Sequence, residues 1–246
     1  MKGKKRTIVC STVVLFGIWQ AASLLIGYSF ILPSPLTVLG RMVHLPLEQS
    51  FYTAIGATTL RALLGLLLAM GLGGAFASLS WKHQRFADLF APLLLLMRSV
   101  PNISYIVLIL YWFSRNISSV IISFLILFPM IYQTLLEALK ELSGSYQKLL
   151  HIYPKRFWEA LKQVYLPLLR PAISASVCNG IAMAFKVGVM AEILGQVSVG
   201  VGRQMQLARL NFDLVSVLAW TGWIILLLFV FDQLLKRLLR MICRGI

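Results

Sequence analysis

The stretch Ile117-Ser-Ser-Val-Ile-Ile-Ser-Phe-Leu-Ile-Leu-Phe-Pro-Met-Ile-Tyr-Gln-Thr-Leu-Leu136 decides the fold. It holds 20 residues without one charge. That is the length an α-helix needs to cross the hydrocarbon of a bilayer. Its apolarity is continuous rather than alternating, which excludes a barrel strand. Five more apolar runs surround it: Thr7–Gly27, Ala62–Leu79 and Leu214–Phe231 without a charge, Leu93–Phe113 with Arg98 inside it, and Ala172–Val197 with Lys186 and Glu192 inside it. Composition agrees, with 59% hydrophobic and only 13% charged residues. A soluble domain of 246 residues cannot hide that much apolar surface. The expected fold is an all-α, polytopic membrane protein of six transmembrane helices, a single domain over residues 1–246.

The net charge of +15 would suit a nucleic-acid binder in a soluble protein. Here it reads as topology. With both ends in the cytoplasm, 16 Lys and Arg fall on the inside and 4 on the outside. Cytoplasmic loops carry that excess. No nucleic-acid partner is expected, and the bilayer is. The first run follows Met1-Lys-Gly-Lys-Lys-Arg6 and is too long for the apolar region of a signal peptide. It is expected to stay as an anchor. Cys10, Cys178 and Cys243 form no C-x-x-C pair, so neither a metal site nor a disulfide framework is indicated. There is no phosphate loop of the G-x-x-x-x-G-K-[ST] type, no G-x-S-x-G and no H-E-x-x-H. No enzyme and no bound cofactor or metal is expected.

Three connections stand out. Ser29–Thr53 lies outside and contains Leu32-Pro-Ser-Pro35 ahead of a short helix over Leu36–Leu45. Ser198–Asp213 lies outside and carries Gly200-Val-Gly202. Glu137–Pro171 is the longest cytoplasmic segment. Within it, Ser145 suits the cap of a first short helix and Pro154 the first turn of a second. From Pro154 onward Phe157, Trp158, Leu161, Val164 and Tyr165 fall on one stripe, with Lys155, Arg156, Glu159 and Lys162 between them. A partner protein or the lipid surface could each take such a face.

This segment resembles the coupling loop of permease subunits of binding-protein-dependent ABC importers. In that loop a turn precedes a Leu-Pro leading into the next span, as Leu166-Pro167 does here. Phe185-Lys-Val-Gly-Val-Met-Ala-Glu192-Ile-Leu-Gly195 is similar to the Ala-Glu span of the sulfonate, taurine, nitrate and pyrimidine-precursor branch. Leu32-Pro-Ser-Pro35, Thr59-Leu-Arg61-Ala-Leu-Leu-Gly65, Met97-Arg-Ser-Val-Pro101 and Gly200-Val-Gly202 follow the same order, over roughly residues 30–240. The family's usual Glu-Ala-Ala and glycine are absent, and Tyr153-Pro154 stands at the glycine's place. The resemblance implies a type I importer permease that pairs with a second permease subunit, as a homodimer, in the bacterial inner membrane. A soluble binding protein would deliver substrate. Separate ABC ATPase subunits would use the ATP and grip the loop at Tyr153, Pro154, Lys155, Arg156, Phe157, Trp158 and Leu161. A secondary transporter or a membrane-embedded enzyme are the alternatives.

Arg98, Lys186 and Glu192 fall inside spans, where a charge is costly and marks a functional or a tightly paired site. Six residues separate Lys186 from Glu192, about 600° of helix, so the two do not share a face. Each is expected either to line the substrate path or to partner another span. Arg98 sits just before Pro101, which allows a kink. Arg61, at the start of its span, is expected to snorkel outward. Ala69, Gly73 and Ala77 form a small-residue ridge for close helix packing.

Overall fold

The computed structural model describes residues 2–152 and 165–244. Its regular elements are helical: α1 Lys2–Ile26, α2 Pro35–His44, α3 Gln49–Lys82, α4 Gln84–Ser99, α5 Asn102–Trp112, α6 Arg115–Ile152, α7 Leu166–Gly195, α8 Val201–Leu210 and α9 Leu214–Arg244. A single 3-10 turn, Leu45–Leu47, joins α2 to α3. No strand occurs among the described residues. Four helical stretches are long and apolar enough to cross a membrane as they stand: Gln49–Lys82, Arg115–Leu142, Pro167–Gly195 and Leu214–Leu235. The third apolar run is not one rod. It is the pair α4 and α5, bent by 97°. The first run forms the shorter apolar helix Cys10–Ile26 within α1.

Helices α3, α6 and α7 make the centre of the bundle. They approach closely because small residues face one another. A Cβ added at Gly65 would lie 2.6 Å from Ser123 Cβ, and one at Gly73 would lie 3.1 Å from Ile131 Cγ2. Gly180 leaves the same kind of room for Leu66. Ala62, Ala69 and Ala77 are buried along the same ridge. In lipid this packing supplies the association that water would otherwise drive.

At the C-terminal end of α3, Phe76, Phe86, Phe90, Phe128 and Tyr132 form an aromatic cluster fastening α4 to α3 and α6. At the opposite end of the bundle, α2 packs against α9. Its Ser34 Oγ accepts from Thr37 N–H at 3.2 Å, and Pro35 supplies the preset φ of a first turn. Arg41 pairs with Glu48 at 2.7 Å and donates to Ser216 Oγ at 3.0 Å. Trp223 Nε1 donates to Met42 O at 2.9 Å.

The helix expected to begin at Ser145 does not form as a separate piece: α6 runs unbroken from Arg115 to Ile152. A lone Gly144 costs a helix only about 1 kcal/mol relative to alanine, too little to end it. The boundary at Leu166 coincides with the Leu-Pro pair, with Pro167 in the first turn of α7.

Candidate functional site

Two polar features interrupt the apolar bundle at helix junctions. The first is the break between α4 and α5. Pro101 has no N–H and drives the residue before it out of the helical region. Val100 accordingly takes φ −72° and ψ 128°. Freed carbonyls result at the end of α4. Tyr105 Oη donates to Met97 O at 2.8 Å and closes one of them. Below the break opens a cavity of about 370 Å³. Arg98, Asn102, Gln133, Thr134 and Glu137 supply its polar lining. Arg98 Nη1 donates to Gln133 Oε1, and Gln133 Nε2 donates to Glu137 Oε1 at 2.8 Å. The sequence pointed to Arg98 and Pro101 on one run. The structure places them together at this corner and adds Gln133 and Glu137 from α6. Nothing local marks those two, since they sit 35 and 39 positions beyond Arg98.

The second feature centres on Glu192, which is 0% exposed near the C-terminal end of α7. Arg61 Nη1 donates to its Oε1 at 2.7 Å. Thr58 Oγ1 donates to the carboxylate, 2.8 Å from Oε2. Gly202 N–H, in the first turn of α8, donates to Oε2 at 3.0 Å. Glu192 thus closes the N-terminus of α8, where the helix dipole favours a negative charge. Val201 N–H donates to Thr58 Oγ1 at 2.8 Å. The same guanidinium reaches Val199 O at 2.8 Å and Asn116 Oδ1 at 2.9 Å. The turn Gly200-Val-Gly202 is shaped by this contact. A Cβ at Gly200 would lie 2.5 Å from Glu192 Oε2, and one at Gly202 would lie 2.5 Å from Glu192 Cβ. Of the two readings open for Glu192, the geometry is that of a residue joining spans. Arg61 departs from expectation: its side chain is only 12% exposed and turns inward. Its pull is the buried carboxylate, and Thr58 one turn earlier shares the same face.

Lys186 behaves differently. It is exposed on α7, between Met183 and Met190, and makes no hydrogen bond or ion pair among the described residues. Those three residues share one face that no other described helix covers. The proposed coupling residues Tyr153, Pro154, Lys155, Arg156, Phe157, Trp158 and Leu161 lie outside the described residues.

Helices that cross a membrane, one of them broken beside a polar cavity, with a buried ion pair joining two others, define a polytopic membrane transport protein. Residues 64–242 match the family described as binding-protein-dependent transport system inner membrane component. The chain belongs to that family. It is 32% identical over 233 residues to the riboflavin transport system permease protein of Chloroflexus aurantiacus, covering 92% of this chain and 86% of that one. It is 26% identical over 185 residues to the formylaminopyrimidine transport permease protein of Halalkalibacterium halodurans, covering 75% of this chain and 72% of that one. It is 26% identical over 201 residues to the putative aliphatic sulfonates transport permease protein of Bacillus subtilis, covering 80% of this chain and 71% of that one. The chain is therefore a transmembrane permease subunit of an ABC importer and not an enzyme. A component of such a system works with an ATPase and a solute-binding protein.

Proposed function

We propose that two copies of this chain pair in the inner membrane and form one translocation path between them, lined by Arg98, Pro101 and Lys186. The carrying observation is the break at Val100 and Pro101. Irregular backbone at membrane depth is tolerated only where it is buried in protein or lines a watery cavity. Here it borders the cavity of about 370 Å³ with its arginine, asparagine, glutamine and glutamate. Lys186 supports the same reading, because an unpaired ammonium in mid-span belongs beside water or protein rather than lipid.

Partner ATPases use the ATP, and the chain itself binds no cofactor. The segment at Tyr153, Pro154, Lys155, Arg156, Phe157, Trp158 and Leu161 takes their movement into the bundle. Both chain ends face the cytoplasm, which the 16 to 4 bias of basic residues supports. The solute is a small organic molecule of the kinds the relatives' names span: riboflavin, a formylaminopyrimidine or aliphatic sulfonates.

The test is reconstitution with the cognate ATPase and binding protein in proteoliposomes. Uptake should need ATP and both partners. Replacing Phe157 and Trp158 together by Asp should release the ATPase and abolish uptake. An intact complex with full transport would refute the coupling assignment. Labelling of Lys155→Cys by a membrane-impermeant maleimide should occur from the cytoplasmic side alone.

A further inference from the structure

The uncovered face of α7 carries more than Lys186. Its exposed positions include Ala175, Asn179, Met183, Lys186 and Met190. Steps of four, four, three and four residues make one continuous stripe along a helix. Asn179 is the second polar member of that stripe, and it too makes no hydrogen bond among the described residues. Both groups stand far from either end of the crossing. The apolar stretch runs Pro167–Gly195, so Asn179 is about 18 Å of helix from its start and Lys186 about 14 Å from its end. A lysine inside a span normally snorkels to the nearer surface. The Cα–Cβ bonds of a helix tilt toward its N-terminus, which directs Lys186 away from the nearer end and over Met183 toward Asn179.

The helices packed on α7 offer this ammonium no acid. Helices α3, α5 and α8 contain none. Glu192 is taken up by Thr58, Arg61 and Gly202. Ser119 Oγ meets Gly188 O at 3.5 Å, and Ile131 Cδ1 faces Gly180, which sets α6 against α7 in depth. Glu137 then lies roughly 20 Å along the axis from the level of Lys186, and Glu141 further still. On α9, Asp232 follows the Phe231 whose ring centroid lies 5.7 Å from that of Phe185, but it is engaged in an interaction of its own.

We propose that Asn179 and Lys186 form an anion site halfway along the translocation path, and that the permease itself passes a solute with an oxyanion head, whether sulfonate, carboxylate or phosphate, in preference to a neutral one. This rests on the reading above that the face of α7 lines the path. The solute supplies the counter-charge that the described residues do not. The ammonium and the carboxamide N–H both donate to the oxyanion, and Met183 and Met190 take the apolar body behind it. A neutral heterocycle leaves the ammonium unpaired at that depth and is disfavoured for that reason. A phospholipid headgroup is the other source of oxyanion oxygens, but it sits at the bilayer surface, about 15 Å from the centre.

Met183→Cys places a thiol between the two groups, in the chain whose Cys10, Cys178 and Cys243 are replaced by Ser. The full importer complex in phosphatidylcholine vesicles is treated with two membrane-impermeant methanethiosulfonates, one bearing a sulfonate and one a trimethylammonium. Relative to a free thiol in solution, the site should favour the sulfonate reagent. Lys186→Gln should lower the ratio of the two rates roughly tenfold, and Lys186→Arg should keep it. Ethanesulfonate should slow labelling saturably where uracil at equal concentration does not, and Asn179→Ala should weaken that protection roughly tenfold. A ratio and a protection indifferent to Lys186→Gln and Asn179→Ala remove the anion site and leave the path. A thiol silent to both reagents shows a dry face and removes the path reading along with the site. Equal protection by uracil overturns the choice of solute. A several-fold rise of the ratio in Asp232→Asn makes Asp232 the counter-charge and overturns the proposal. So does protection by added phosphatidylglycerol in place of ethanesulfonate, which makes the occupant a lipid.

Discussion

Thr58, Arg61 and Glu192 show how a charge is made tolerable in a membrane bundle. The carboxylate meets a guanidinium, a hydroxyl and a backbone N–H, and each of these comes from a different turn. Removing one partner leaves the other charge buried, which costs about 3–5 kcal/mol. Arg61→Leu should therefore lower the melting temperature of the detergent-purified protein sharply. The double variant Arg61→Leu with Glu192→Leu should be more stable than the sum of the two single losses predicts. Purely additive losses would mean that the pair is not coupled. Gly200 tests the same site from the backbone side. It adopts φ 157°, which side-chain-bearing residues rarely do, with the carboxylate against its missing Cβ. Gly200→Ala should cost roughly 1–3 kcal/mol through overpacking and strain. Gly56→Ala, with open space around it, should be neutral or slightly stabilising in the same melt.

Helices α4 and α5 carry the argument at the next scale. If Pro101 holds the break, Pro101→Ala should let the two helices straighten. Spin labels at Leu89 and Tyr111, both exposed, report this directly. Two arms bent by 97° put those positions about 20 Å apart, and a continuous helix puts them about 33 Å apart. An unchanged distance in the variant would assign the bend to tertiary packing instead. Uptake should fall where the helix straightens, because the cavity beside Arg98 closes. The same element shows where sequence reading stops. Apolar runs announce spans, and Pro101 announces a disturbance, but no local rule supplies the angle. Nor does hydropathy find the start of α4, because Gln84, Arg85 and Asp88 mask an amphipathic helix whose Phe86 and Phe90 join the aromatic cluster. The small-residue ridge on α3 was readable, since its spacing lies within one helix. The Arg61–Glu192 pair was not, because its members are 131 residues apart and meet only when α3 and α7 pack.

Across the whole molecule, the uncovered face of α7 is the unfinished part. Met183 and Met190 are each 38% exposed, with Lys186 between them. Lipid is a poor cover for an ammonium there, and a second copy related by a two-fold axis would bring the same face opposite itself. Two like charges then face each other and keep the faces from closing dry, which leaves room for a hydrated path. In a variant with Cys10, Cys178 and Cys243 replaced by Ser, Met190→Cys should cross-link between copies in native membranes. On the proposed pairing the yield should change when the ATPases are locked by nucleotide, because a path between two copies would alternate. Lys186→Ala should lower uptake at least tenfold while the ATPase still co-purifies, and Lys186→Arg should retain most of it. A cross-link that never forms, or uptake indifferent to Lys186→Ala, would move the path to another face of the bundle and leave Lys186 to pack against a different partner.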